Sequence, residues 1–295
     1  MSSDTKQATE NWIRHIAAGG IDVFATAEFE HNVQVWSLAK RCQLAKFSTC
    51  LSFGGRRLAI VGGESPRVVA AAYEREGVAL YDLTGRLVWQ RKDLKKAQHL
   101  TSFCDPGGAF RIAVGFDEAS MVILDPDTGK TIESLRGVRE VWACDNDCLL
   151  SLSSKGVSLL GLRGYTTKWT QKLTSFGILD AAMSPYSVAF SEIGGSVRCF
   201  SHDGTELWQW KPEEETHALR VGWCQDLERW LLVTWPFQCG GEKLLLSLDS
   251  TGAQLAMYRL GQPAETEFLA GCKHLVTSDG DVLSTADGVS VWRFT

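Results

Sequence analysis

Apolar and polar residues alternate along this chain in short runs, and turns interrupt them at a nearly constant interval. The clearest copies are Val78-Ala79-Leu80-Tyr81-Asp82-Leu83-Thr84-Gly85-Arg86-Leu87-Val88-Trp89 and Val197-Arg198-Cys199-Phe200-Ser201-His202-Asp203-Gly204-Thr205-Glu206-Leu207-Trp208. In each, an apolar strand meets a glycine turn and returns as a strand carrying tryptophan. Alternate positions such as Val197, Cys199 and Leu207 point to one face of a sheet. The turn glycine takes a positive φ that most residues adopt at a cost, and a nearby Asp caps the turn. Further copies run from Met121 to Glu133 around Gly129, Val157 to Trp169 around Gly164, and Leu244 to Tyr258 around Gly252. Two looser copies run from Val33 to Phe47, with Lys40 at the turn, and from Val282 to Phe294 around Gly288.

The turn positions 40, 85, 129, 164, 204, 252 and 288 lie 45, 44, 35, 40, 48 and 36 residues apart. That interval of about 41 residues is the length of one four-stranded propeller blade, for which roughly 40 to 50 is usual. A single blade cannot bury both faces, so neighbours packed around a ring must do it. The pattern therefore predicts an all-β chain folded as a seven-bladed β-propeller of four-stranded antiparallel blades. Residues 11–295 form the propeller, and residues 1–10 are expected to be poorly ordered.

Earlier strands in each repeat fit the same plan. Glu140 to Cys144 and Cys148 to Leu152 precede the fourth turn, while Glu267 to Gly271 and His274 to Thr277 precede the seventh. The final hairpin, Asp287-Gly288-Val289-Ser290-Val291-Trp292, completes the last blade from C-terminal residues alone. This favours a ring closed without an N-terminal clasp, with the first blade starting near Trp12-Ile13. Trp89, Trp169, Trp208 and Trp292 fall on outer strands, where an indole fills the wedge between adjacent blades.

Composition narrows the functions. The 295 residues show no linker or abrupt compositional shift, and 44% hydrophobic content is ample for a core. A net charge of −5 lacks the basic face of a nucleic-acid binder. No apolar run is long enough for a membrane span, and the polar N-terminus does not read as a signal peptide. Nine cysteines without framework spacing read as reduced thiols of a cytoplasmic protein, and the chain is expected to be a monomer.

The hairpins Asp82 to Trp89, Asp125-Pro126-Asp127-Thr128-Gly129-Lys130 and Asp203 to Trp208 resemble the repeat of quinoprotein-like propellers. WD-repeat propellers are the neighbouring family, although their Gly-His and Trp-Asp pairs are missing here. The resemblance implies a partner-binding platform. No residue matches the quinone and calcium sites of the quinone-dependent enzymes, so no cofactor is expected.

Candidate chemistry is sparse. Cys144 and Cys148 lack the second ligand pair a zinc site needs. The six histidines show no metal-binding spacing, and no metal site is assigned. Asp105, Asp145, Asn146, Asp180 and Asp226 lie near first-strand regions and read as loop caps. Were they to converge in the channel, they would suit a divalent ion, as in propeller hydrolases and lactonases. No catalytic nucleophile elbow or phosphate loop is present. The repeat breaks most between Trp223 and Gly241. There Trp235, Pro236 and Phe237 form an aromatic stretch suited to a protein interface, and Glu213, Glu214 and Glu215 offer an acidic edge. The expected function is a non-catalytic protein-binding module (an adaptor, assembly or toxin-immunity role) acting through rim loops; the alternative is a hydrolase or lactonase with a channel-bound divalent metal.

Overall fold

Val33, Val78, Met121, Val157, Val197, Leu245 and Val282 are each completely buried, one in every repeat. Each lies at or near the start of the third strand of an antiparallel four-stranded sheet. In this computed structural model seven such sheets follow one another along the chain, over residues 13–48, 57–91, 97–136, 138–171, 178–210, 216–261 and 266–293. The described residues are 13–19, 22–28, 32–49, 57–62, 66–71, 77–116, 118–143, 147–175, 177–212, 216–236, 241–263 and 265–294.

Within a blade the strands pair in chain order, from inner to outer. Each inner strand packs against the inner strand of the next blade, and the seventh packs against the first. The arrangement is a seven-bladed β-propeller. The hydrophobic core is correspondingly divided: the buried clusters of the described residues number seven, and each spans one blade-to-blade seam. Period-two alternation explains this, because successive residues of a strand face opposite seams. Val188 and Phe190, for example, enter the seam with blade 4, while Ala189 between them enters the seam with blade 6.

The coupling of glycine with tryptophan in the repeat has a direct cause. An outer-strand aromatic of one blade lies on the turn glycine of the next blade. A Cβ at Gly129 would come 2.8 Å from the Trp89 indole, one at Gly204 2.9 Å from Trp169, and one at Gly252 2.8 Å from Trp208. Phe47 meets Gly85 and Tyr258 meets Gly288 in the same way. The polar tip of the aromatic often bonds to that turn as well. Trp89 Nε1 donates to the Pro126 carbonyl at 2.9 Å, Trp169 Nε1 to that of His202 at 3.2 Å, and the Tyr258 hydroxyl to that of Ala286 at 2.7 Å. The turns themselves are capped as their sequence predicts. Asp82 Oδ1 accepts from the amides of Thr84 and Arg86 at 2.9 and 3.0 Å, and its carboxyl is lowered to about 2, chiefly by the Thr84 hydroxyl.

Among the described residues, the last sheet takes all four strands from residues 266–293, so no strand exchange closes the ring. An aromatic cluster holds this junction. Phe24 and Trp36 of blade 1 meet Trp292 and Phe294, with Phe294 5.0 Å from both rings of blade 1. Trp230 is fully buried and packs against Trp223 and Trp208. No helix of the described residues is long and apolar enough to cross a membrane.

Candidate functional site

The pairing register identifies one position of the inner strand that every blade fills with an ionisable residue. It holds His15, Arg57, His99, Glu140, Asp180, Arg220 and Glu267, paired respectively with Ala27, Ala71, Gly115, Leu152, Ser191, Val233 and Val276. Each precedes a buried apolar residue: Ile16, Leu58, Leu100, Val141, Ala181, Val221 and Phe268. In blades 1, 3, 4, 5 and 6 the pairing skips one residue just before this position. Such a bulge bends the strand and re-aims the next side chain. His99 reaches across the seam to the following blade, where its ring lies 5.1 Å from that of Trp142.

Over blades 5 to 7 the side chains of this ring link one blade to the next. Asp180 Oδ2 accepts from the Val221 amide at 2.8 Å, which ties blade 5 to blade 6. Asp180 thus stands within an inner strand at a seam, and the expectation that it caps a loop is corrected. Asp105 does cap a turn, accepting from the Gly107 and Ala109 amides at 2.9 Å. Asp226 pairs with Lys273 at 2.5 Å, while Asp145 and Asn146 lie outside the described residues.

Arg220 continues the link from blade 6 to blade 7. Its Nε donates to the Thr266 carbonyl at 2.8 Å and lies 3.2 Å from Glu267 Oε2. Nη1 donates to the Leu219 carbonyl at 3.0 Å, and Nη2 lies 3.7 Å from Glu265 Oε2. Burial pushes the Glu267 carboxyl up to about 7; Arg220 opposes this, while Asp180 and Glu265 add to it. Burial likewise raises the Asp180 carboxyl against the pull of Arg220. A carboxyl that changes charge near neutrality can exchange a proton at the seam, which is the chemistry this cluster offers.

Beside the cluster, a cavity of about 400 Å³ opens between blades 6 and 7. Its walls include Leu219, Arg220, Trp235, Lys243, Pro263 and Glu265. Its volume falls within the usual range for organic ligands, roughly 300 to 1,000 Å³. Trp235 is the penultimate residue of the second strand of blade 6 and is 38% exposed. Lys243 begins the third strand and is 5% exposed; burial pulls its ammonium below the usual lysine range, with Glu265 opposing.

Of the interface residues expected from sequence, Trp235 therefore lines the cavity. Pro236 ends the same strand, with its side chain outside the described set. Phe237, Glu213, Glu214 and Glu215 lie outside the described residues. Sequence reasoning missed Arg220, Glu265, Glu267 and Lys243. The available signal was an ionisable residue before an apolar one, recurring every 40 to 47 residues from His15 to Glu267. Among the described residues no group of three or more His, Cys, Asp or Glu is arranged to hold a metal ion. Among the described residues six cysteines form no disulfide with one another; burial pushes the Cys199 and Cys272 thiols up to about 12.

No family model and no curated protein matches the chain by sequence. Among solved structures it is similar to the crystal structure of the computationally designed Ika8 protein, with a TM-score of 0.65 and 13% identity. That match covers 97% of this chain and 87% of the designed one, and at this identity it speaks to the fold alone.

Proposed function

We propose that the chain is a non-catalytic protein-binding module, and that the partner docks on the face where the cavity between blades 6 and 7 opens. The observation that carries this reading is Trp235, a large aromatic left 38% exposed at the wall of a preformed cavity. An aromatic anchor beside a pocket is the usual centre of an interface, since Trp and Arg dominate binding energies there. The polar cluster of Arg220, Glu265 and Glu267 supplies specificity around that anchor. The propeller fold fits such a role, and the repeat's resemblance to quinoprotein-like rings supports a platform over an enzyme. The described cysteines, which form no disulfide with one another, support a reducing compartment, the cytoplasm.

The test is quantitative affinity capture from the native cell with three forms of the chain. The unaltered protein is expected to retain one stoichiometric partner, and Trp235→Ala to lose it while melting normally. Leu207→Ser, on an exposed outer-strand site, should retain it. Equal capture by the Trp235→Ala form would refute this reading. The rival, a hydrolase with a divalent ion in the channel, has no observation in its favour among the described residues.

A further inference from the structure

We infer that Cys148 and Lys168 of blade 4 form a modification site, at which peroxide joins the thiol to the amine as a reversible sulfenamide cross-link. The site stands apart from blades 6 and 7 and does not rest on the reading above. Three observations carry it. The first is register. Cys148 opens the second strand of blade 4 and pairs with Gly161 at the end of the third, which pairs in turn with Thr166 of the outer strand. Residues paired in this way project to one face of the sheet, so the row beside the thiol holds a residue with no side chain.

The second is a bulge. The outer strand pairs Trp169 with Leu159 and Thr167 with Leu160, which leaves Lys168 as the extra residue. A bulge re-aims the side chain it carries. The Lys168 stem lies over Gly161, with Cε 3.4 Å from where a Cβ would stand. The third is the meeting that results. Lys168 Nζ donates to Cys148 Sγ at 2.9 Å, so an exposed lysine ends on a thiol that is 2% exposed. Exposed side chains change rotamer within nanoseconds, and movement of the lysine admits peroxide to the sulfur.

The chemistry balances with hydrogen peroxide as the oxidant. Sulfur attacks the peroxide O–O bond, giving a sulfenic acid and water. The uncharged Lys168 amine then attacks that sulfur: the N–S bond forms, the S–O bond breaks, and the oxygen leaves as water with a proton from the amine. The thiol is oxidised and the peroxide reduced, and an added dithiol reverses the link.

Peptide mass spectrometry of the folded chain after peroxide treatment tests this, with fragment ions distinguishing Cys148 from Cys144 in tryptic peptide 140–155. That peptide is expected joined to peptide 164–172, uncleaved at Lys168, with the loss of two hydrogens, about 2 Da, and dithiothreitol should part them. Lys168→Arg keeps the cation but offers no uncharged amine. It should abolish the joined peptide and leave a Cys148 sulfenic acid that dimedone traps. Absence of the joined peptide once the exposed Cys42 is fully oxidised, a link that persists in Lys168→Arg, or a joined peptide that has gained oxygen would overturn the proposal.

Discussion

The outer and inner seams of the ring join the same pairs of blades by opposite means. At the outer seam one chemistry repeats: an aromatic of one blade rests on the turn glycine of the next, in five of the seven junctions. At the inner seam one position repeats but its chemistry does not, running from His15 through Arg57, His99, Glu140 and Asp180 to Arg220 and Glu267. Steric fit permits few solutions, since a bare glycine is the residue that admits an indole at this distance. Polar pairing across a seam permits many, so blades can diverge there without losing the ring. The outer seam therefore secures the architecture, and the inner seam, over blades 5 to 7, carries the individuality that function needs.

The contrast can be broken most forcefully at the outer seam. Trp169→Ala removes a buried indole from the junction of blades 4 and 5 and should cost about 4 kcal/mol in equilibrium denaturation. A loss below about 1 kcal/mol would show that the aromatic staple is dispensable. Gly204→Ala should cost about 2–3 kcal/mol, combining a φ of 93° with a Cβ 2.9 Å from Trp169. In a Trp169→Ala background that penalty should shrink towards the backbone part alone, which a double-mutant cycle measures.

At the inner seam the effects should be smaller and should depend on pH. Arg220→Met leaves Glu267 and Asp180 without their cation and should cost about 2 kcal/mol at about pH 8, discounted for a side chain 22% exposed. The loss should diminish at about pH 5.5, where the Glu267 carboxyl takes up a proton. A penalty independent of pH would contradict the assigned coupling. The smallest effect concerns Glu267 itself. Its carboxyl is raised from 4.5 to about 7 in the fold, so the folded chain holds a proton that the unfolded chain releases between those values. The stability it contributes is complete below 4.5 and is lost as pH rises through 7. Glu267→Gln should flatten that fall, gaining about 1–2 kcal/mol on the unaltered protein between about pH 5 and pH 8. Parallel pH profiles for the two forms would remove Glu267 from the site.

These seams also explain what could be read from the sequence. The repeat starts at Val33, Val78, Met121, Val157, Val197 and Val282 coincide with the buried third-strand positions, because burial at a fixed register demands an apolar residue. In blade 6 the repeat begins one residue early, at Leu244, where the buried position is Leu245. Trp235 stood out because Trp-Pro-Phe interrupts the outer-hairpin rhythm. Arg220, Glu265 and Glu267 did not, because each is an ordinary charged residue whose meaning lies in its register partner. Asp180 was visible as a carboxylate near a strand, but only the 2.8 Å bond from the Val221 amide distinguishes a seam from a cap.

The most direct test of where function resides is the set of indole N–H signals of the ¹⁵N-labelled protein, recorded during titration with the partner retained by affinity capture. Trp235 lines the cavity, whereas Trp89, Trp169 and Trp208 are locked in outer seams. The Trp235 signal should move saturably while those three stay fixed. A stationary Trp235 signal, or movement of the outer-seam indoles instead, would contradict the assignment of function to the inner face of blades 6 and 7.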